Sequence, residues 1–442
     1  MNRDILYFKS IVIIFLFILS ILLITIGDSV WSGIIALGVL VVSAWVFSEF
    51  ELIHPLTWFP PIFFLYSVSY PLLISLGELS NTYNQNSEIL FIQWLALFTF
   101  IIIINTSGNE KIEVDISLLK NLMPIVIPIF WISIFLTSIY VFYVYSSGLT
   151  SKYAINLDNS SLGVFTPLFS IIVISFALIV ANRIGVKGKL PKGFIFVAMS
   201  YGAVVLLVLG ERDFILKLFI VTVFLYHILK NKISKKKMIL LGLAVIFIIP
   251  ILGNLKNSAF NQGMKNINEN NFIINTLNGE FMTVGRNLSN LLSSENIAWS
   301  YYFGETLWWD IKVLFSTGVS PGAWFNDRFY PDLVARGGGN GFSLVGEGYI
   351  NFGMLGVMIF FAMLAVFLKI LYKNAKKNVV WLTIYIVTIP LTVYVIRADF
   401  ATLITQFSKQ ILLPIIIIFA IKIILEGRGN FNKFITLKEN RF

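Results

Sequence analysis

Hydrophobic residues in this chain run in long blocks separated by short polar segments, with neither the two-residue alternation of a half-buried strand nor the three-to-four spacing of a surface helix. About 20 apolar residues cross the hydrocarbon of a bilayer as a helix. By that measure the blocks predict twelve spans, at about 8–26, 30–48, 55–76, 88–105, 123–145, 164–182, 193–210, 214–230, 238–254, 353–371, 379–396 and 401–424. The seventh and eighth are separated only by Glu211, Arg212 and Asp213. The first follows a short basic segment with Arg3 and Lys9, and no small-residue cleavage site follows it, so it reads as a retained anchor. The predicted fold class is an all-α polytopic integral membrane protein, a single membrane domain over 1–442, with one large extracytoplasmic loop at 255–341 between spans nine and ten.

Composition sharpens this picture. Of 442 residues, 57% are hydrophobic and 13% charged, about half the usual charged share of a soluble domain. That excludes a soluble enzyme and a disordered chain, and the absence of cysteine excludes disulfides, thiolate catalysis and cysteine-held metals. An outer-membrane barrel needs alternating strands of about 10 residues, whereas Ile11 to Ile26 is continuously apolar.

The net charge of +10 is distributed for orientation in a membrane, with no stripe suited to nucleic acid. With the N-terminus inside, 22 of the 33 Lys and Arg fall in inner segments, among them Lys187, Lys189, Lys192 and the run Lys235–Lys237. Both termini are therefore expected in the cytoplasm. The long loop holds six basic against seven acidic residues, a net charge of −1. Its apolar patches, Phe272–Leu277 and Thr306–Phe315, are too short to span and read as helices lying at the membrane surface or folded over the spans, with Trp308 and Trp309 suited to the interface. Ordered loops of this length are usually functional, which places the expected active surface on the outer face.

The two histidines, His54 and His227, sit at inner helix ends and cannot reach that face. There is no Asp-x-Asp element and no Gly-x-x-x-x-Gly-Lys-[Ser/Thr] phosphate loop, so arginine, carboxylate and glycine chemistry remain. Three constellations carry it. Gly210-Glu211-Arg212-Asp213, with Lys217 a turn deeper, makes a charged corner that reads equally well as a turn with paired charges. Arg397-Ala398-Asp399 opens the last span, which also contains Gln406 and Lys409. A lysine that deep costs about 2.5–3.5 kcal/mol at mid-helix and is a functional candidate, with snorkelling as the alternative.

The third constellation runs from Asn326-Asp327-Arg328 through Arg336-Gly337-Gly338-Gly339-Asn340-Gly341 to Ser343-Leu344-Val345-Gly346-Glu347-Gly348-Tyr349-Ile350-Asn351-Phe352-Gly353. Glycines such as Gly338 and Gly339 allow backbone amides to approach an anionic phosphate, with Arg336 nearby. Glu347, entering an apolar stretch, is an acid–base candidate if it is buried there.

This run resembles the signature of Wzy-type polymerases, which join lipid-linked oligosaccharide repeat units into O-antigen or capsule chains. The matching residues are Ser343, Leu344, Gly346, Glu347, Tyr349, Asn351, Phe352 and Gly353. Gly210 with Arg212, and Arg397 with Asp399 and Phe400, are similar to further family features. The resemblance implies a GT-C-like bundle of about twelve spans in the bacterial inner membrane. It implies transfer of the growing glycan from undecaprenyl pyrophosphate to the next lipid-linked unit at the outer leaflet. No cofactor or resident metal is expected, although a divalent ion at the pyrophosphate stays open; a chain-length regulator is a possible protein partner, and nucleic acid is not. The implied catalytic residues are Glu347, as first choice of base, with Asp399 or Asp213 next, and Arg212 and Arg397 as diphosphate-stabilising cations. Arg336, Arg328, Lys409, Asn351, Tyr349, Gly338 and Gly339 are the implied substrate-binding residues. Trp308, Trp309 and Trp324 read as interface anchors or sugar-stacking surfaces. Two rival functions stand beside it: an O-antigen ligase, which shares this architecture but would typically show an outer-face histidine, and, from another class, a lipid-oligosaccharide flippase or secondary transporter, whose usual paired halves the long late loop breaks.

Overall fold

The computed structural model describes residues 3–79, 86–104, 114–149, 162–237, 240–242, 244, 274, 276–294 and 299–439. Among the described residues it is all-helical, at 83% helix with no strands. The N-terminal helices are α1 (Arg3–Ile26), α2 (Val30–Ser48), α3 (Pro55–Ser75) and α4 (Asn86–Ile104). Next come α5 (Ser117–Ser146), α6 (Leu162–Lys187), α7 (Lys192–Leu209) and α8 (Arg212–Leu229). The long loop contributes α9 (Thr283–Ser293), α10 (Glu305–Leu314), α11 (Pro321–Phe329) and α12 (Pro331–Ala335). The C-terminal part consists of α13 (Leu344–Ala375), α14 (Val379–Val395), α15 (Phe400–Gln406), a π-helical turn at Phe407–Leu412, and α16 (Leu413–Glu439).

Among the described residues nine helical stretches are long and apolar enough to cross a membrane, the last being Phe400–Glu426. The protein is therefore a multi-pass membrane protein. Of the remaining three predicted spans, 214–230 forms α8, whose first turns carry Arg212, Asp213 and Lys217. The span at 379–396 forms α14, apolar but only 17 residues long. The span at 238–254 lies largely outside the described residues.

Local chemistry sets where the helices begin and bend. Ser29 caps α2 by accepting the Ser32 amide at 3.1 Å. His54 caps α3 by accepting the Leu56 amide on Nδ1 at 3.2 Å, with Pro55 in the first turn; its ring sits buried against Tyr372, 4.9 Å between centroids. Prolines inside α3 (Pro60, Pro61, Pro71) and α5 (Pro124, Pro128) are tolerated as they are in membrane helices, where neighbouring groups re-satisfy the freed carbonyls.

The chain folds into two compact units. The first comprises 1–111, 233–374 and 389–405; the second comprises 112–232, 375–388 and 406–442. In the first, α1 to α4 pack together and α9 lies on α3, where Gly285 lets the helix come close to Tyr70. In the second, α5 to α8 form the packed group, with α6 the most deeply enclosed.

The run Ser343–Gly353 has a specific backbone solution. Ser343 Oγ accepts the Gly346 amide at 2.9 Å and starts α13. The helix then breaks at Phe352 and Gly353, the latter at φ +59°, which favours glycine. The break folds Leu344–Asn351 back onto the beginning of the span, close enough that a Cβ on Gly356 would collide with the Gly348 carbonyl. The glycines of this motif therefore serve backbone packing at the entrance of a span.

Candidate functional site

The fold-back segment brings Glu347 to the centre of a polar cluster sealed inside the first unit. Glu347 is fully buried, as are Thr306 and Asn351, and Asp310 and Asp399 are almost so. Glu347 Oε1 accepts a hydrogen bond from Thr306 Oγ1 at 3.1 Å, and its Oε2 accepts the backbone amide of Phe400 at 2.6 Å. Asn351 donates to Thr306 Oγ1 at 2.7 Å and to the Glu347 carbonyl at 2.8 Å, while its Oδ1 accepts the Gly304 amide at 2.9 Å. Asp399 caps α15 through the Thr402 amide at 2.8 Å, and its other oxygen accepts the Gly322 amide at 2.8 Å.

These bonds tie four elements together. Glu347 and Asn351 hold the start of α10 against α13. Glu347 also holds the start of α15, and Asp399 holds the start of α11. The segments that stood out separately in the sequence, around Glu347 and around Arg397-Ala398-Asp399, are joined here by a direct hydrogen bond.

Asp310 completes the cluster. It stands beside the Glu347 carboxyl and near the Ala401 amide, and both of its oxygens are buried without a well-formed hydrogen bond. Burial pushes its carboxyl up to about 7; the charge of Asp399 adds to the push, while the contacts with Glu347 and Ala401 oppose it. Its neutral form has an O–H to donate to a neighbouring carboxylate. Although three carboxylates converge, no group of three His, Cys, Asp or Glu among the described residues is placed to hold a metal ion.

The two walls that the cluster holds, α10 and α11, enclose an open cleft of about 840 Å3. Trp309, Lys312, Ser316, Thr317, Gly318, Val319, Trp324, Asp327 and Arg328 line it. Tyr302 backs both indoles, 5.0 Å from the Trp309 ring and 5.4 Å from the Trp324 ring. Trp308 does not line the cleft and is 57% exposed; its apolar neighbours Ile311 and Phe315 are exposed too, and Lys312 Nζ lies 5.7 Å from the Trp308 ring. Helix α10 thus has three faces: Thr306 and Asp310 inward, Trp309 and Lys312 to the cleft, and Trp308, Ile311 and Phe315 outward.

The other expected site residues fall in distinct places. Arg328 lines the cleft, and Arg336 is exposed, its Nε donating to the Asp332 carbonyl at 3.2 Å. Arg397 is half-buried, with its guanidinium 5.0 Å from the Tyr394 ring. Tyr349 is buried against Trp299 and Tyr301. The glycine loop is pinned to α11: the Asn340 amide donates to Asn326 Oδ1 at 2.6 Å, and Asn326 Nδ2 donates to the Asn340 carbonyl at 2.8 Å. The Gly337 and Gly338 amides donate to the Val334 and Leu333 carbonyls, so part of the loop's donor capacity, including that of Gly338, is spent internally; Gly339 packs by the Asn326 side chain.

In the second unit, Lys217 pairs with Asp213 at 2.8 Å and also reaches Gln410 at 3.4 Å. The Gly210–Asp213 corner, where Arg212 opens α8, is thereby connected to the π-helical turn that carries Lys409. Such single-turn π segments within helices often occur at functional sites.

Sequence reasoning missed Asp310, Thr306 and Arg286. The signal for the first two was a Thr and an Asp four apart within an apolar patch, one face of a helix that had to be buried or paired. Arg286 lies half-buried 5.8 Å from the Tyr330 ring, whose hydroxyl donates to Asn287 Oδ1 at 2.9 Å; no local pattern marked it.

Comparison with known proteins yields one family. The model described as O-antigen polysaccharide polymerase Wzy matches residues 5–428, nearly the whole chain. No curated protein and no solved structure matches.

Proposed function

The chain belongs to the O-antigen polysaccharide polymerase Wzy family, and from that membership we propose that it extends glycan chains at the outer leaflet of the bacterial inner membrane. The donor is the growing chain on undecaprenyl pyrophosphate, and the acceptor is the next lipid-linked repeat unit. A hydroxyl oxygen of the acceptor bonds to the anomeric carbon of the donor chain. The bond from that carbon to the diphosphate breaks, the carrier diphosphate leaves with the bonding electron pair, and the hydroxyl's proton passes to solvent or to the departing diphosphate. The observation that carries this reading is the family match over residues 5–428. The hydrogen bond joining Glu347 to Phe400 supports a common site for the two segments that resemble the family.

In this reading the diphosphate needs cations where negative charge develops, preorganised as at any oxyanion site. We assign Arg397, Arg336 and Arg328 of the first unit to that task; for Arg212 and Lys409, which belong to the second unit, the cationic role is the one that the family resemblance implies. The base role that the sequence suggests for Glu347 and Asp399 requires them to touch the acceptor. Both are buried with their oxygens engaged in internal bonds, so we assign them to positioning: they hold α10, α11 and the Arg397 corner in register. Asn351 and Tyr349 support the same segment, and Gly338 and Gly339 shape the loop around α11. The N- and C-termini lie in the cytoplasm by the distribution of lysine and arginine, and a chain-length regulator is a fitting protein partner.

Deleting the gene and resolving the host's surface polysaccharide on a denaturing gel tests the reading. The expected pattern is a lipid core bearing a single repeat unit with the long ladder gone, since export and ligation continue. Loss of the single unit as well would indicate a flippase or ligase, and an unchanged ladder in a host without a second polymerase would refute glycan polymerisation.

A further inference from the structure

We propose that the cleft between α10 and α11 is a glycan subsite, in which the indoles of Trp309 and Trp324 stack on pyranose rings of the repeat unit. That its occupant is a glycan rests on the polymerase reading; that it is a built site rests on the geometry. Its volume of about 840 Å3 lies within the range of about 300–1,000 Å3 usual for ligand pockets. Its lining joins two flat aromatic surfaces to polar groups of both kinds: Lys312 and Arg328 donate, Asp327 accepts, and Ser316 and Thr317 do either. A pyranose asks for this combination, because it has an apolar C–H face to lay on an aromatic ring and a rim of hydroxyls that both donate and accept.

Three further observations point the same way. Lys312 and Arg328 both line the cleft and form no ion pair among the described residues, Arg328 standing next to Asp327 and the Lys312 ammonium lying 5.7 Å from the Trp308 ring at the cleft's edge. The indoles are held from behind by Tyr302, so they stand ready without rearrangement. Each wall is fixed by its own buried carboxylate, α10 through Thr306 to Glu347 and α11 through Gly322 to Asp399. The cleft's width is therefore set by the same cluster that positions the Arg397 corner, and a sugar bound between the indoles has a defined register to that corner.

The other tryptophan of α10 supplies an internal control. Trp308 does not line the cleft, stands among exposed apolar side chains and takes no part in the subsite.

The test uses full-length protein in lipid nanodiscs and oligosaccharides released from the host's own surface polysaccharide, with binding followed by saturation-transfer NMR and calorimetry. Trp324→Ala and Trp309→Ala should each weaken binding by about tenfold, Trp324→Phe should restore most of it, and Trp308→Ala should leave it unchanged. Each variant is checked for wild-type melting behaviour in the nanodisc. Unchanged binding in a well-folded Trp324→Ala, or equal loss in Trp308→Ala, would overturn the subsite. Displacement of the oligosaccharide by inorganic pyrophosphate would also overturn it, marking the cleft as a carrier site. If gene deletion removes the ladder while these variants bind normally, only the subsite fails; if deletion leaves the ladder intact, the polymerase reading fails irrespective of the cleft.

Discussion

The backbone amide of Phe400 donates a 2.6 Å hydrogen bond to the fully buried carboxylate of Glu347. This one contact fastens the entrance of α13 to the entrance of α15. Glu347's other oxygen is taken by Thr306 at 3.1 Å, so the carboxylate is engaged on both sides.

Removing the Glu347 acceptor therefore strands buried donors. Glu347→Ala leaves the Phe400 amide and the Thr306 hydroxyl unpaired, at about 1–3 kcal/mol for each group. The melting temperature of the purified protein should fall by several degrees, and chain growth should fail. Wild-type stability in Glu347→Ala would show that the contact contributes nothing.

Asp310 makes the cluster sensitive to pH. Its folded value of about 7 lies above its ordinary 3.8, so the fold favours the neutral acid. The stability it confers is complete below about 4 and is lost as pH rises through about 7. A difference of that size corresponds to about 4 kcal/mol between the two forms, as an upper bound. Melting curves from pH 5 to pH 8.5 should show declining stability in the wild type and a flatter profile in Asp310→Asn. Parallel profiles would remove Asp310 from this role.

The fastening of α11 can be loosened separately. A Cβ on Gly322 would sit 2.8 Å from Asp399 Oδ2, inside contact distance. Gly322→Ala should displace the start of α11, shortening the polysaccharide ladder while the protein still reaches the membrane in normal amount. A normal ladder would mean that the position of α11 does not matter to chain growth.

Gly353 and Gly356 should be intolerant for backbone reasons. Alanine at Gly353 meets a φ of +59°, costing about 1 kcal/mol, and alanine at Gly356 collides with the Gly348 carbonyl. Membrane abundance should drop in both, more in Gly356→Ala. Equal, undiminished abundance would contradict the fold-back.

The cationic assignment predicts a different phenotype. Arg397→Ala, Arg212→Ala and Lys409→Ala should abolish or strongly reduce chain length while the protein still reaches the membrane in normal amount. Full-length ladders from all three would refute the diphosphate role.

How much of this was legible in the sequence depended on distance along the chain. Apolar blocks announce spans directly because lipid leaves a helix no other partner, so the helices from α1 to α7 fall where the hydropathy puts them. The Ser343–Gly353 run also announced itself, since its glycines are local backbone necessities. What the sequence could not show was that Glu347 would be closed off. Its engagement depends on Thr306 and Phe400, far away along the chain, and no periodicity within α13 encodes them. Asp310 was hidden for the same reason: inside an apolar patch it reads as an interruption until its partner is known. The cleft likewise emerges only when α10 and α11 come together, although its tryptophans were visible individually. In the second unit the Lys217–Gln410 contact joins the Gly210–Asp213 corner to the turn that carries Lys409, residues far apart along the chain.

The most direct test of the central claim is reconstitution. Purified protein in nanodiscs is given lipid-linked repeat units, with no nucleotide, and the products are resolved by gel while released carrier diphosphate is measured. The account predicts a ladder of longer glycans, with one carrier diphosphate freed for every unit added, and none from Arg397→Ala. Repeat units that remain single, or that lengthen without release of the diphosphate carrier, would contradict it.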